Sequence, residues 1–250
     1  MNFVKFPHSP SSKVKYVLID ERAYNKTFYV LEENNITPII VNKSQDVHES
    51  ISSHPDIFYF PFQDDIIITA PNAPKKTTQK LIDIGVNIIF GNKALQSKYP
   101  NDCAYNIARI NDYIIHNLEI TDKIVLEYIK KVNLKTISVN QGYTKCSILI
   151  IEKNAIITSD KGIAKKTLNN GIDTLLIKPG FIELFNLNYG FIGGCAGFID
   201  KDLLLFNGDI SKHPDFQEIK MFLKKYKKDL VYTPNYKLQD IGSIIPVIQD

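Results

Sequence analysis

The sequence predicts a mixed α/β protein in which five ββαβ units form a closed, propeller-like ring. An apolar strand recurs at intervals of about 42–49 residues, beginning near positions 16, 65, 113, 155 and 203. Each recurrence is followed by a helical pattern and a further apolar run. The N-terminal unit lacks a first strand of its own, and the C-terminal run 244–248 can supply it. Because such pairing removes exposed sheet edges, we expect the ring to close.

The composition indicates an ordinary globular protein. Of the 250 residues, 44% are hydrophobic and 23% are charged. No apolar run reaches the roughly 20 residues of a membrane helix, and the N-terminus lacks the apolar core of a signal peptide. We therefore expect a cytoplasmic protein that does not contact membranes.

The charge and the cysteines argue against two classes of partner. The net charge is +3 and comes almost entirely from lysine, with Arg22 and Arg109 as the only arginines. Because arginine dominates contacts with guanine and phosphate, nucleic acid is an unlikely partner. The three cysteines lack paired metal-ligand spacing, so we expect reduced thiols, no bound metal and no cofactor.

Units two and four show the repeat most clearly. In unit two, β-rich runs flank the turn 63–65, a helix over 75–82 ends before Gly85, and 86–90 reads as a buried strand. Unit four repeats this order, with its hairpin turn at 152–154 and its last strand at 174–177.

The other three units follow the same order. Unit three has a helix over 123–131, capped by Thr121 or Asp122. Unit five has a helix over 216–226 with one apolar face, followed by the strand 230–232. Unit one combines strand 244–248 with strand 14–19, a helix around 25–33 and strand 38–41.

These boundaries predict an N-terminal tail over 1–12 and a single domain over 13–250. The five repeats span about 13–50 plus 241–250, 51–100, 101–143, 144–190 and 191–240. Each hairpin's first strand is expected near the pseudo-fivefold axis, with the helices outside.

Two segments carry a resemblance to a known family. Residues 60–76 contain the run ITAPNAPKK, and residues 193–214 read GGCAGFIDKDLLLFNGDISKHP. Both are similar to segments of dimethylarginine dimethylaminohydrolase, a guanidino-modifying enzyme of the pentein fold, and the repeat pattern extends the resemblance over nearly the whole chain. The chain is still closer to an uncharacterised bacterial branch of this superfamily.

The resemblance implies a chemistry and also a departure from it. The enzymes use a cysteine nucleophile near the C-terminus, a histidine acid/base and carboxylates that hold the guanidinium group. Here Pro246 or a neighbouring isoleucine stands near the nucleophile position, and neither can attack a guanidinium carbon. Cys195 replaces the family's aspartate after two glycines, and the paired arginines of the turn become Lys75 and Lys76. A catalytic chain of this family would therefore need a relocated nucleophile.

Our candidate catalytic residues are Cys195, His54 and Asp56. Gly193 and Gly194 let the backbone next to Cys195 come close to a ligand. A histidine followed by an aspartate can form an oriented acid/base pair. The alternative interpretations are a buried structural cysteine and a histidine that serves the turn before Pro55.

Further polar residues lie at strand ends or in the segments that carry the resemblance, where they could contact a ligand in the central channel. Turn and capping roles are the alternative for most of them. The candidate ligand-binding residues are Cys146, Asp102, Asp240, Asp160, Asp209, Lys76, Lys212 and His213.

The sequence thus leads to two functional hypotheses. In the first, the central channel binds a small polar ligand of amino-acid or guanidino type, and a cysteine-dependent hydrolase or amidinotransferase acts on it. In the second, the ring is a non-catalytic binding or sensor protein for a macromolecule or a metabolite, as the missing C-terminal cysteine favours. The oligomeric state stays open, since a fold alone does not fix these properties.

Overall fold

The five predicted ββαβ units are present. The structure is a computed structural model that describes residues 2–250. Within that range the strands form five small sheets, one per unit. In each sheet the first two strands pair antiparallel and the third strand pairs parallel to the second. The helix between the second and third strands makes the parallel crossover that this topology requires.

The elements follow the predicted order along the chain. Unit one contains β1 (Asn2–Phe3), β2 (Val14–Asp20), α1 (Asn25–Glu33), β3 (Thr37–Val41) and, from the C-terminus, β16 (Ile245–Gln249). Unit two contains α2 (Pro55–Phe58), β4 (Tyr59–Gln63), β5 (Ile66–Thr69), α3 (Lys75–Asp83) and β6 (Asn87–Phe90). Unit three contains β7 (Ala108–Ile110), β8 (Tyr113–His116), α4 (Lys123–Lys131) and β9 (Lys135–Ser138).

Units four and five complete the ring. Unit four contains α5 (Thr144–Ser147), β10 (Ile148–Glu152), β11 (Ala155–Thr158), α6 (Lys161–Asn169) and β12 (Asp173–Leu176). Unit five contains β13 (Ala196–Asp200), β14 (Leu203–Phe206), α7 (Phe216–Lys225) and β15 (Asp229–Tyr232). Short 3₁₀ turns lie at Glu49–Ile51, Ile192–Cys195 and Ile210–Lys212.

The C-terminal strand closes the first unit. β16 pairs antiparallel with β2, so that Ile245 lies opposite Leu18 and Pro246 opposite Val17. β1 then pairs with the other edge of β16. Residues 2–3, within the segment expected to be an N-terminal tail, therefore belong to this sheet.

Burial identifies the inner and outer strands. β10 and β13 are buried over most of their length, whereas the third strands β6, β9 and β12 are largely exposed or half-buried. The first strands therefore line the inside of the ring, as predicted. Among the helices in the described range, none combines the length and the apolar character needed to cross a bilayer.

Two helix ends show the capping residues that the sequence predicts. Asp122, not Thr121, caps α4, because its side chain accepts a hydrogen bond from the Ile124 backbone N–H. Gly85 follows α3 with a φ of 92°, a conformation that glycine adopts without strain.

Candidate active site

Five short segments, one before the first strand of each unit, meet at the centre of the ring. These axial segments are residues 54–58, 102–106, 144–147, 192–195 and 240–244, and hydrogen bonds join them across unit boundaries. Asn106 Oδ1 accepts from the Lys145 N–H at 2.8 Å, and the Asp56 N–H donates to the Gly242 carbonyl at 3.2 Å. Residues far apart in sequence therefore form one polar cluster.

Cys146 and Asp56 are in direct contact within this cluster. The Cys146 Sγ atom lies 3.2 Å from Asp56 Oδ1 and 3.1 Å from Oδ2, and the Asn106 amide donates to the sulfur at 3.3 Å. Both residues are almost fully buried. Burial, and then the negative charges of Asp56 and Asp240, raise the pKa of the Cys146 thiol well above its usual range. In the resting site the thiol is therefore protonated and donates to Asp56.

A buried lysine balances part of this negative charge. The Lys145 ammonium group is 2.8 Å from Ser243 Oγ, which in turn is 2.8 Å from Asp56 Oδ2. The ammonium group also donates to the Gly193 carbonyl at 3.1 Å. Burial lowers the pKa of Lys145, and Asp56 opposes that shift. Lys145 thus supports Asp56 through Ser243, whose hydroxyl donates to the same Oδ2 atom that the thiol contacts.

His54 lies between two carboxylates and makes no hydrogen bond with its ring. Its Nε2 atom is 3.8 Å from Asp20 Oδ2, and its Nδ1 atom is 3.8 Å from Asp240 Oδ1. The side chain is only 1% exposed, and neither ring nitrogen finds a hydrogen-bond partner within residues 2–250. Buried polar atoms are normally paired, so these two nitrogens are available to a ligand. Arg22 neutralises Asp20 through two charge-assisted hydrogen bonds.

Asp240 is fixed by backbone hydrogen bonds. Its Oδ2 accepts from the Phe191 N–H at 2.9 Å, and its Oδ1 accepts from the Gly242 N–H at 3.0 Å. Burial raises the pKa of Asp240. A Cβ atom on Gly194 would collide with this carboxylate, and one on Gly193 would collide with the Lys145 and Ile148 carbonyls, so neither position has room for a side chain.

His54, Cys146 and Asp240 offer a nitrogen, a sulfur and an oxygen atom that all lie within 4.8 Å of one another. Such a mixed set can ligate a divalent ion, and it can equally surround the reacting carbon of a small substrate.

These three residues form part of the wall of a cavity of about 350 Å³. The remaining lining is mostly aromatic and aliphatic, with one serine, a second carboxylate and a second histidine. The other lining residues are His48, Ile51, Ser97, Tyr99, Asp102, Tyr143, Leu184, Leu187, Tyr189 and Phe191. A mainly apolar cavity with a few converging polar groups is typical of a small-molecule site.

The structure brings five of the eleven predicted site residues together. His54, Cys146, Asp102 and Asp240 line the cavity, and Asp56 lies directly behind Cys146. Cys146, predicted as a ligand-binding residue, lies at the cavity wall together with His54 and contacts Asp56.

Cys195 does not have those surroundings. It is fully buried, packs within an apolar cluster of units four and five, and donates to the Ile192 carbonyl at 3.1 Å. It is absent from the cavity lining among residues 2–250. Burial raises the pKa of its thiol well above the usual range, as it does for Cys146, so the two cysteines differ in their surroundings and not in the direction of this shift. This placement argues against our assignment of Cys195 as the nucleophile.

The other candidates lie outside the cavity. Asp160 caps α6 by accepting from the Ile163 N–H, and Asp209 caps the 3₁₀ turn Ile210–Lys212. Lys212 and His213 line a separate surface depression next to Asp209, and Lys76 is exposed on α3. Capping explains the two aspartates, as the alternative interpretation held.

Sequence reasoning missed several residues of the site. Asn106, Lys145 and Ser243 contact the Cys146–Asp56 pair or its supports, while His48 and Tyr143 line the cavity. Most of them lie in or next to an axial segment. The position immediately before each first strand was therefore the signal that could have identified them.

The comparisons with known structures show the fold. An amidinotransferase of the saxitoxin biosynthetic pathway from Microseira wollei aligns with a TM-score of 0.63 and 10% identity, covering 98% of this chain and 97% of that one. Agmatine deiminase from C. jejuni with bound substrate aligns with a TM-score of 0.59 and 10% identity, covering 99% and 96%. The dimethylarginine dimethylaminohydrolase from Pseudomonas aeruginosa in complex with citrulline aligns with a TM-score of 0.55 and 8% identity, covering 89% and 92%.

The predicted pentein fold is therefore confirmed. No curated protein matches the chain in a sequence comparison. A family model described as "Family of unknown function (DUF6873)" matches residues 18–245, which is most of the chain. The protein belongs to this family of unknown function and has the pentein fold that amidinotransferases, deiminases and dimethylarginine dimethylaminohydrolase share.

Proposed function

We propose that the central cavity is the active site of a cysteine-dependent enzyme that cleaves or transfers a C–N bond of a guanidino or amidino compound. Cys146 is the nucleophile and His54 the acid/base. The observation that carries the proposal is the convergence of a buried thiol, an unpaired imidazole and a fixed carboxylate within 4.8 Å at one cavity wall. The fold shared with guanidino-modifying enzymes adds support by analogy.

A cationic substrate supplies the positive charge that the resting site lacks beside the Cys146 sulfur. The raised pKa of Cys146 comes from burial and from Asp56 and Asp240, so a positive charge beside the sulfur favours the thiolate. A guanidinium or amidinium group beside Asp240 provides that charge. The thiol proton then passes to Asp56, whose oxygens are 3.1 and 3.2 Å from the sulfur. The nucleophile is therefore activated when the substrate binds.

The chemistry proceeds through a covalent intermediate. The Cys146 thiolate attacks the central carbon of the guanidinium group and forms an S–C bond. The C–N bond to the leaving amine or ammonia breaks, and His54 donates a proton to that nitrogen. An S-amidino adduct on Cys146 remains. Water then attacks its carbon and gives one proton to His54. The C–S bond breaks, Asp56 returns its proton to the sulfur, the remaining hydroxyl proton passes to solvent, and a ureido product leaves. If an amine attacks instead of water, the amidino group is transferred.

The surroundings of His54 suit both proton transfers. The Asp20 and Asp240 carboxylates lie 3.8 Å from the two ring nitrogens, and neither nitrogen is engaged in a hydrogen bond among residues 2–250, so both can exchange a proton with a bound group. The Gly242 Cα atom packs against this side chain so closely that a Cβ there would collide with it. This contact holds the ring towards the cavity.

The non-catalytic alternative receives less support. It rested on the missing cysteine near the C-terminus, but Cys146 occupies the axial segment of unit four, and the five axial segments converge on one cluster. A nucleophile can therefore reach the centre of the ring from a different unit.

Turnover assays with matched cysteine variants test the proposal. Release of ammonia or amine from alkylguanidines and alkylamidines is followed with the unaltered protein, Cys146→Ser and Cys195→Ala. We expect release that Cys146→Ser abolishes and Cys195→Ala retains. Release that persists in Cys146→Ser, or no release from any compound of these classes, would contradict the proposal.

A further inference from the structure

We propose that the ligand of this cavity is a guanidinium or amidinium cation whose substituent is apolar and carries no carboxylate. The inference rests on the proposed function and names its substrate class. It depends on the outer part of the cavity, which the mechanism above does not use.

The charged groups around the cavity select for a cation. Asp102 and Asp240 contribute carboxylates, and no lysine or arginine of the described chain is among the lining residues. The nearby cations are engaged elsewhere. Lys145 is buried against Ser243 and Gly193, and Arg22 binds Asp20 and backbone carbonyls. A cation is therefore attracted to the cavity, whereas an anion meets two negative charges.

Asp102 has a free acceptor for such a ligand. Its Oδ2 accepts a hydrogen bond from the Tyr143 hydroxyl at 2.7 Å, whereas its Oδ1 is buried without a partner among residues 2–250. The residue is 2% exposed. An unpaired buried carboxylate oxygen is costly, and an N–H group of a bound cation satisfies it. Asp102 thus supplies a second acceptor, in addition to Asp240, to a ligand rich in N–H donors.

The rest of the wall favours an apolar substituent. Tyr99, Leu187 and Tyr189 are each roughly half exposed at the cavity, and Leu184 and Phe191 extend the same surface. Large apolar side chains that face a cavity gain free energy when a ligand removes them from water. The volume of about 350 Å³ lies at the small end of ligand pockets, so it suits one short alkyl or aryl group.

A carboxylate on the substituent meets no lysine or arginine in this wall, whose other polar groups are His48, Ser97 and tyrosine hydroxyls. It would lose water without gaining a lysine or arginine partner, and it would approach two aspartates. The site should therefore reject amino-acid-type guanidines in favour of their carboxylate-free analogues. The wall that binds the substituent, rather than the Cys146 end, determines this preference.

Calorimetric titration of the unaltered protein tests the preference with three matched compounds. They are phenethylguanidine, the same molecule with a carboxylate on the carbon next to the guanidine, and phenethylurea, which has the same tail and an uncharged head. We expect phenethylguanidine to bind at least about 30-fold more tightly than either of the others. If the guanidine is consumed during titration, Cys146→Ser is titrated in the same way.

A charge added to the wall provides a second test. Leu187→Arg places a cation beside the ligand's tail and should narrow the ratio between the two guanidines by about tenfold. Leu168→Arg is the matched control, since Leu168 is similarly exposed but lies on α6, outside the cavity lining. Equal or tighter binding of the carboxylated compound to the unaltered protein, no binding of phenethylguanidine, or the same ratio in both variants would overturn the proposal. If Cys146 nevertheless reacted with cationic reagents, only the ligand class proposed here would be wrong, and the proposed function would be unaffected.

Discussion

The two carboxylate oxygens of Asp56 lie 3.1 and 3.2 Å from the sulfur of Cys146, although 90 residues separate these two positions in the chain. This contact joins the axial segment of unit two to that of unit four. It places a proton acceptor beside the proposed nucleophile and keeps the thiol protonated until a positive charge arrives.

Removing the Asp56 charge should make Cys146 more acidic. Asp56→Asn eliminates the charge that, after burial, contributes most to the raised pKa of the thiol. The rate of alkylation by a neutral reagent should then rise at lower pH than in the unaltered protein. Asp160→Asn is the control, because Asp160 caps α6 and does not line the cavity. An unchanged pH profile in Asp56→Asn would refute the role assigned to this contact.

Replacing Cys195 should affect mainly the stability of the protein, whereas replacing Cys146 should affect its reactivity. Cys195→Ala removes a fully buried sulfur from an apolar cluster and should lower the free energy of unfolding by about 1–2 kcal/mol. Turnover and labelling at Cys146 should persist in this variant. Denaturant titration and mass spectrometry measure the two effects. A loss of turnover in Cys195→Ala comparable to that in Cys146→Ala would restore Cys195 as the candidate nucleophile.

Gly242 should tolerate a side chain much less well than Gly171. Both glycines have a positive φ, 66° and 75°, so alanine at either position costs about 1 kcal/mol of backbone strain. At Gly242 the new Cβ would also collide with His54, whereas at Gly171 it meets nothing within 4 Å. Gly242→Ala should therefore lower the melting temperature more than Gly171→Ala and also displace the His54 ring. Equal melting temperatures would contradict the packing described.

His116 should contribute to the loss of stability in acid. Burial lowers its pKa in the folded protein to about 4, below the ordinary value of 6.5 in the unfolded chain. Between these values only the unfolded state is protonated, so stability decreases as the pH falls from about 6.5 to 4, by roughly 3 kcal/mol at most.

The replacement His116→Gln should weaken this pH dependence. Glutamine can still bond to Thr121 Oγ1 and the Gly142 carbonyl, which the imidazole contacts at 2.7 and 3.0 Å. Urea unfolding at pH 7, 5.5 and 4.5 measures the free energy. The same loss between pH 7 and 4.5 in the variant as in the unaltered protein would show that His116 is not responsible.

The fold was predictable because its signals are local and repeated. Hydrophobic periodicity gave the strands and helices of each unit, and the unpaired apolar run 244–248 indicated closure. The observed bounds differ from the predicted ones by a residue or so, as for α3 and β16. Residues 2–3 were missed because a two-residue strand carries no periodic pattern.

The site was only partly predictable because it depends on offsets of a single residue. Cys146 lies two positions before its first strand and Cys195 only one position before its own. Both cysteines lie in short helical turns, where consecutive side chains point in different directions, so one thiol lies at the cavity wall and the other in the core. Contacts between axial segments join residues that are far apart in the chain; Lys145 and Ser243, for example, are 98 positions apart. Such contacts produce no pattern in the local sequence.

Peptide mapping after reaction of the native protein with 2-chloroacetamidine, a cationic alkylating reagent, tests the central claim most directly. Its neutral counterpart 2-chloroacetamide is the comparison. The account predicts modification at Cys146 alone, with the cationic reagent much the faster because its charge favours the thiolate in a site that contains Asp56 and Asp240. Modification at Cys195 or Cys103 while Cys146 stays intact, or equal rates with the two reagents, would contradict it.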